Sequence, residues 1–194
     1  QWASTYYDII RSEQCVPLGH AVNANFAMVA GFSIHPDADE AQRRGIDGFQ
    51  FFRYAVNALV ANETRPGRSR LWEEYEELRG PDLPLLAAPG IGTPENYLKL
   101  ATEFQNAGVD QMIFLQQGGK NRHEHICESL EYFARDVLPF FQDERDQREA
   151  RKQEELAPFI EAAMARKQYM KPLTDDEIPI VPPSAERESF YRKA

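Results

Sequence analysis

The sequence predicts an α/β protein built on a parallel sheet, and three observations carry that reading. Met112, Ile113, Phe114 and Leu115 are consecutively apolar, which suits a parallel strand covered on both faces and not an antiparallel strand with one wet face. Twice a strand-like segment leads into an amphipathic helix, the alternation that defines α/β folds. Each of those helices opens on recognisable capping chemistry, at Asp37 and at Thr93.

In chain order, WASTYYDII near the start already reads as a helix, so the chain, which begins at Gln1, is expected to be a fragment or a processed chain. Val22 to Ile34 is small and apolar without a charged helical stripe and reads as a mostly buried strand ended by His35 and Pro36. Asp37, with Glu40 three residues on, makes a capping-box-like helix start. The helix runs to about Ala61 with Ala41, Phe49, Phe52, Val56 and Leu59 on its apolar face. Gly45 and Gly48 lower its propensity, and close backbone packing is the expected reason.

Asn62 to Pro89 is a long connection, with Arg65 and Arg68 around an RPGR turn and a short strand at Leu83 to Ala88. A segment of that kind is either a lid over a site or a surface excursion. Thr93, Pro94 and Glu95 then start a helix carrying Tyr97, Leu98, Ala101 and Phe104 on one face, and Gly108 ends it. After the apolar strand a third helix places Ile126, Leu130, Phe133 and Val137 together, closed by Pro139. Beyond Gln142 the chain turns to DERDQREARKQEE, an amphipathic piece around Phe159 to Met164, and a Pro-rich end. Residues 1–142 therefore read as the folded portion, and 143–194 as a charged, solvated helix with a flexible tail or an arm that wraps a partner subunit.

The balance of 22 Lys and Arg against 31 Asp and Glu gives a net charge of -9, which argues against nucleic acid and anionic membrane surfaces as partners. Cys15 and Cys127 are the two cysteines, read as reduced thiols in a cytoplasmic protein. No apolar run approaches the ~20 residues of a membrane span.

In parallel α/β folds ligands lie beyond the carboxyl ends of the strands. Two stretches qualify, Ser33 to Asp37 and QQGGKNRHEH from Gln116 to His125. Gln116 and Gln117 are candidates to hydrogen-bond a heterocycle's edge, and Gly118 with Gly119 to let backbone approach a flat ligand or simply to turn the chain. Asn25 alternates with Asn23 on one face of the first strand, reaching a ligand or pairing with a neighbouring strand. Arg65 and Arg68 are candidates to clamp an anion. His123, Glu124, His125 and Glu128 carry metal-ligating atoms, but on a helix the two histidines point to opposite sides, so no metal site is expected. Helix capping or ligand contact suits the histidines better. No phosphate loop, nucleophile elbow or Cys-x-x-Cys motif occurs, and no catalytic residue is identified. With two clear strands and a third short one, these residues leave both a (β/α)8 barrel and an open doubly wound sheet as options.

GIGTPENYLKLATEFQNAGVDQMIFLQQGG, then HEHICESLEYFARDVLPFF, resembles the C-terminal part of the bacterial-luciferase-like, flavin-dependent monooxygenases. AVNANFAMVAGFSIHPDADEAQRRG resembles an earlier strand and helix of the same barrels. The resemblance implies the C-terminal part of a (β/α)8 TIM barrel, incomplete within residues 1–142. It implies reduced FMN, or a deazaflavin in a related group, acting with O2 on a small organic substrate. The flavin site would include Gln116, Gln117, Gly118 and Asn25, and the long connection with Arg65 and Arg68 would be the substrate lid. A flavin reductase and a homo-oligomeric state belong to the same expectation, as does an alternative, a non-catalytic partner subunit derived from the barrel.

Overall fold

The computed structural model describes residues 1–61, 70–80, 88–169 and 171–178. Arg65, Arg68 and residues 83–87 of the expected third strand lie outside them. Helix α1 (Trp2–Arg11) leads to strands β1 (Ala27–Gly31) and β2 (Ser33–Ile34), then α2 (Ala38–Ala61) and α3 (Leu71–Arg79). Strand β3 (Ile91–Gly92), α4 (Pro94–Asn106), β4 (Gln111–Leu115), α5 (His123–Asp136), the short α6 (Pro139–Gln142) and α7 (Arg145–Arg166) follow. The expected first strand is thus shorter than Val22 to Ile34, and Ala88 belongs to no strand. Pro139 opens a short helix instead of closing one, since α5 has already ended at Asp136.

Local chemistry sets the helix starts. Asp37 Oδ1 accepts the backbone N–H of Asp39 at 2.9 Å and of Glu40 at 3.1 Å. Thr93 and Asn96 form a reciprocal capping box, with Pro94 at the first helical position. Gly108 follows α4 at φ 85°, the left-handed conformation a helix end requires.

All four strands are parallel in their pairs: β1 with β4, Val29 beside Ile113, and β2 with β3, Ser33 beside Ile91. Only Phe32 separates β1 from β2, so one extended segment is the neighbour of both other strands. Sequence-adjacent β3 and β4 are not paired with each other among the described residues, whereas a barrel wall keeps consecutive strands side by side. Ser33 turns to α2, its hydroxyl donating to Ala41 O at 2.9 Å. Phe32 and Ile34 turn the other way, into a core with Tyr97 of α4 and with Phe133 and Val137 at the end of α5. Helices on both sides of a parallel strand are the pattern of an open, doubly wound sheet. The structure is therefore a mixed α/β fold with parallel strands, in which no closed barrel is formed among the described residues.

The core is aromatic. Phe32 stacks on Phe114 at 4.5 Å, and Phe133 meets Phe114 edge-on at 4.9 Å, contacts worth about 0.5–1.5 kcal/mol each beyond their buried area. Two expectations about burial need correction. Covering of β4 on both faces fails: Met112 and Phe114 pack against the helices, but Ile113 and its partner Val29 are 46% and 50% exposed. The apolar face of α2 also turns along its length, because α3 packs Trp72 and Tyr75 on Phe51 and leaves Val56 and Leu59 exposed.

The charged helix expected beyond Gln142 is α7, and it is not merely solvated. Leu156 and Ile160 pack with Ile10, Tyr6 and Tyr7 of α1 and with Ala24. Arg11 meets Glu155 at 2.6 Å, and Arg166 donates to the carbonyls of Ser12 and Cys15.

Candidate functional site

The carboxyl ends of β2 and β4 are followed by the starts of α2 and α5, and the space beyond such ends is the crevice in which parallel α/β sheets hold ligands. Two groups of residues stand at this end.

The first is an ionic network between α2 and α5. Arg44, with a side chain 11% exposed, donates to Glu40 at 2.6 Å and to Glu128 at 2.5 Å. Glu128 also accepts from Tyr132 at 3.2 Å and lies 4.0 Å from His35 Nε2. His35 Nδ1 accepts the backbone N–H of Asp37 at 3.0 Å, which leaves the neutral ring's proton on Nε2, facing the carboxylate. Hydrogen bonds from Arg43 and then Arg44 bring Glu40 down to about 2 from an ordinary 4.5. Arg44 in the same way holds Glu128 below the usual carboxylate range. His125 is pushed toward its neutral form by desolvation and by the cations of Arg44, Arg122 and Arg43. His35 falls inside the expected ligand stretch Ser33 to Asp37 without being picked out there, and Arg44 falls in neither stretch. Their signals were an imidazole at a strand's carboxyl end and an arginine four residues after Glu40 on a helix.

The second group is the loop after β4. Asn121 Nδ2 donates to Gln116 O at 2.8 Å and closes the turn. Gly118 lies directly on α2: a Cβ added at Gly48 would collide with Gly118 O and Asn121 Oδ1. Gly119, at φ 57°, sits under the Trp72 indole, and Lys120 Nζ lies 4.5 Å over the same ring. Helix packing therefore accounts for the double glycine, and at Gly118 the close approach is to protein backbone. Gln116, half-buried, and exposed Gln117 keep side-chain amides without a hydrogen bond among the described residues.

Asn25 is at the other end of the sheet. It precedes β1 by two residues and donates to Gln111 Oε1 at 2.9 Å, the pairing outcome allowed for it. The parallel register puts Asn25 level with Val109, seven residues before Gln116, a separation of about 23 Å at ~3.3 Å per residue. The structure brings Gln116, Gln117 and Gly118 together and leaves Asn25 apart.

His123 and His125 both lie on α5. His123 contacts Cys127 Sγ at 3.5 Å, and no group of three or more His, Cys, Asp or Glu is arranged to hold a metal among the described residues. Both cysteines are free thiols, and no described helix is long and apolar enough to cross a membrane.

Comparison of the chain with family profiles, with curated proteins and with solved structures found no match.

Proposed function

We propose that this chain supplies part of a luciferase-like, flavin-dependent oxidoreductase that oxygenates a small organic substrate with reduced flavin and O2. The observation that carries the reading is the crevice beyond β2 and β4. Two glutamine amides without a hydrogen bond among the described residues follow β4, and the His35 imidazole follows β2, at the end where parallel α/β sheets hold ligands. The likeness of the surrounding sequence to those enzymes supports the flavin in particular.

The residues present fit a flavin ring in part. Gln116 and Gln117 would bond its polar edge, while Gly118 is taken up by α2 and Asn25 is at the wrong end. A bound flavin would supply the electron transfer and oxygen activation. The chain's own residues position and exclude water. Arg44 keeps Glu128 ionised, and that carboxylate lies 4.0 Å from Nε2 of His35. FMN and a deazaflavin both fit this description.

The test is titration of FMN, and separately of a deazaflavin, with the protein and with the longest reading frame that contains it, followed by flavin fluorescence. Saturable binding weakened by Gln116→Ala supports the proposal. Absence of saturable binding in both forms overturns it.

A second reading, a non-catalytic partner subunit, is favoured by the uncovered apolar face at Val29 and Ile113. It predicts stable association in light scattering, as a homo-oligomer or with a partner chain, together with no flavin binding.

A further inference from the structure

At the opposite end of β4 from the crevice lies a cavity of about 500 Å³, a volume that suits a small organic ligand. Its walls come from α4, the amino end of β4, α5, α6 and α7. They are rich in rings, with Phe104, Phe114, Phe133 and Phe141 all contributing. One side of α7 supplies the charge, through Arg145, Arg148, Glu149 and Lys152.

The cations are not equivalent. Lys152 is neutralised by Asp110 at 3.0 Å and Glu149 at 2.8 Å. Arg145 has a side chain 78% exposed and pairs with Asp146 at 3.3 Å. Arg148 is half-buried, and the bond given to it is donation to the neutral Phe141 carbonyl at 3.2 Å, with no carboxylate within ion-pair distance among the described residues. A guanidinium presents five N–H donors in a planar fork that matches a carboxylate. Arg148 therefore has donors and a whole positive charge to spare at the mouth of an aromatic cavity.

We infer that this cavity is a binding site for an aromatic monocarboxylate, its ring among the phenylalanines and its carboxylate on Arg148. The chemistry is one of binding alone. Because the cavity opens at the amino end of β4 and Gln116 follows its carboxyl end, an occupant does not compete for the crevice. The inference stands independently of the flavin reading.

The experiment is isothermal titration of the protein with 2-naphthoate and with its uncharged analogue 2-naphthalenemethanol. Saturable one-to-one binding is expected for naphthoate, with the alcohol weaker by about tenfold or more, the scale of a lost charge-assisted contact. Arg148→Gln should remove that preference while leaving the alcohol's affinity unchanged, and Arg145→Gln should leave both unchanged. Circular dichroism checks the fold of each variant. If Arg148→Gln does not fold, Arg148→Lys serves in its place, with a reduced but measurable preference for naphthoate. No saturable naphthoate binding, equal affinity for acid and alcohol, or a preference that survives Arg148→Gln would each overturn the inference.

Discussion

The amino and carboxyl ends of the same two strands are built on different principles. At the amino end the polar groups around Asp110 are spent on one another, and Arg148 is the exception. Asp110 accepts the Phe26 N–H at 2.8 Å, Lys152 at 3.0 Å and the Tyr7 hydroxyl, and so ties β1, α1 and α7 together. Burial, then the bond to Asp110, pushes the Tyr7 phenol upward, so it stays protonated as a donor. At the carboxyl end Arg44 and its two carboxylates are satisfied, while the side-chain amides of Gln116 and Gln117 have no hydrogen bond among the described residues. At each end a ligand would meet what the bonding leaves over, the Arg148 guanidinium at the amino end and the two glutamine amides at the carboxyl end.

Four changes break or sharpen that contrast. Gly48→Ala has the largest expected effect, because the new methyl would overlap the Gly118 carbonyl, a backbone atom that cannot swing aside. A loss of about 3 kcal/mol is expected in chemical denaturation, together with loss of the loop's geometry. Asp110→Ala follows at about 2 kcal/mol, since it strands the Phe26 N–H and the Tyr7 hydroxyl and leaves Lys152 with Glu149 alone. It should leave the crevice residues unchanged in nuclear magnetic resonance spectra.

Arg44→Met tests the carboxyl end through pH. Glu40 and Glu128 have lowered values in the folded state, so the network's stabilisation is complete above about 4.5, the ordinary value, and fades as pH falls toward about 2. The melting temperature of the variant should lie below that of the parent at pH 7, and the gap should close on acidification. A gap that persists at pH 2 would make Arg44 a packing residue only. The smallest effect is expected at Tyr97, whose hydroxyl is buried with no hydrogen-bond partner among the described residues. Tyr97→Phe should leave the melting temperature unchanged or raise it slightly, as removing an unsatisfied buried polar group allows.

What the sequence made legible is what neighbouring residues decide among themselves. Asp37, Thr93 and Gly108 act within four residues of their targets, and each does in the structure what its type suggests. Parallel pairing was legible from the apolar run of β4, but covering on both faces was not. That depends on what lies beyond Ile113, and no local pattern records it. Long-range partners were hidden for the same reason. Arg44 and Glu128 are 84 positions apart, and nothing in QQGG says that Gly48, on another helix, fills the space its glycines provide. Gln116 and Gln117 were candidates from their place after an apolar strand, and the structure keeps them at that strand's carboxyl end.

Ser129, in the middle of α5, uses one hydroxyl to serve both backbone groups of Ile34, accepting from its N–H and donating to its C=O at 3.1 Å each. A side chain there does what an adjoining strand would do, and the backbone at that position has no group left to offer one. At Ile34, which is fully buried, a helix side chain thus takes the place of a neighbouring strand. Ser129→Ala would leave both backbone groups of Ile34 buried without that partner, expected as a loss of about 2 kcal/mol in chemical denaturation.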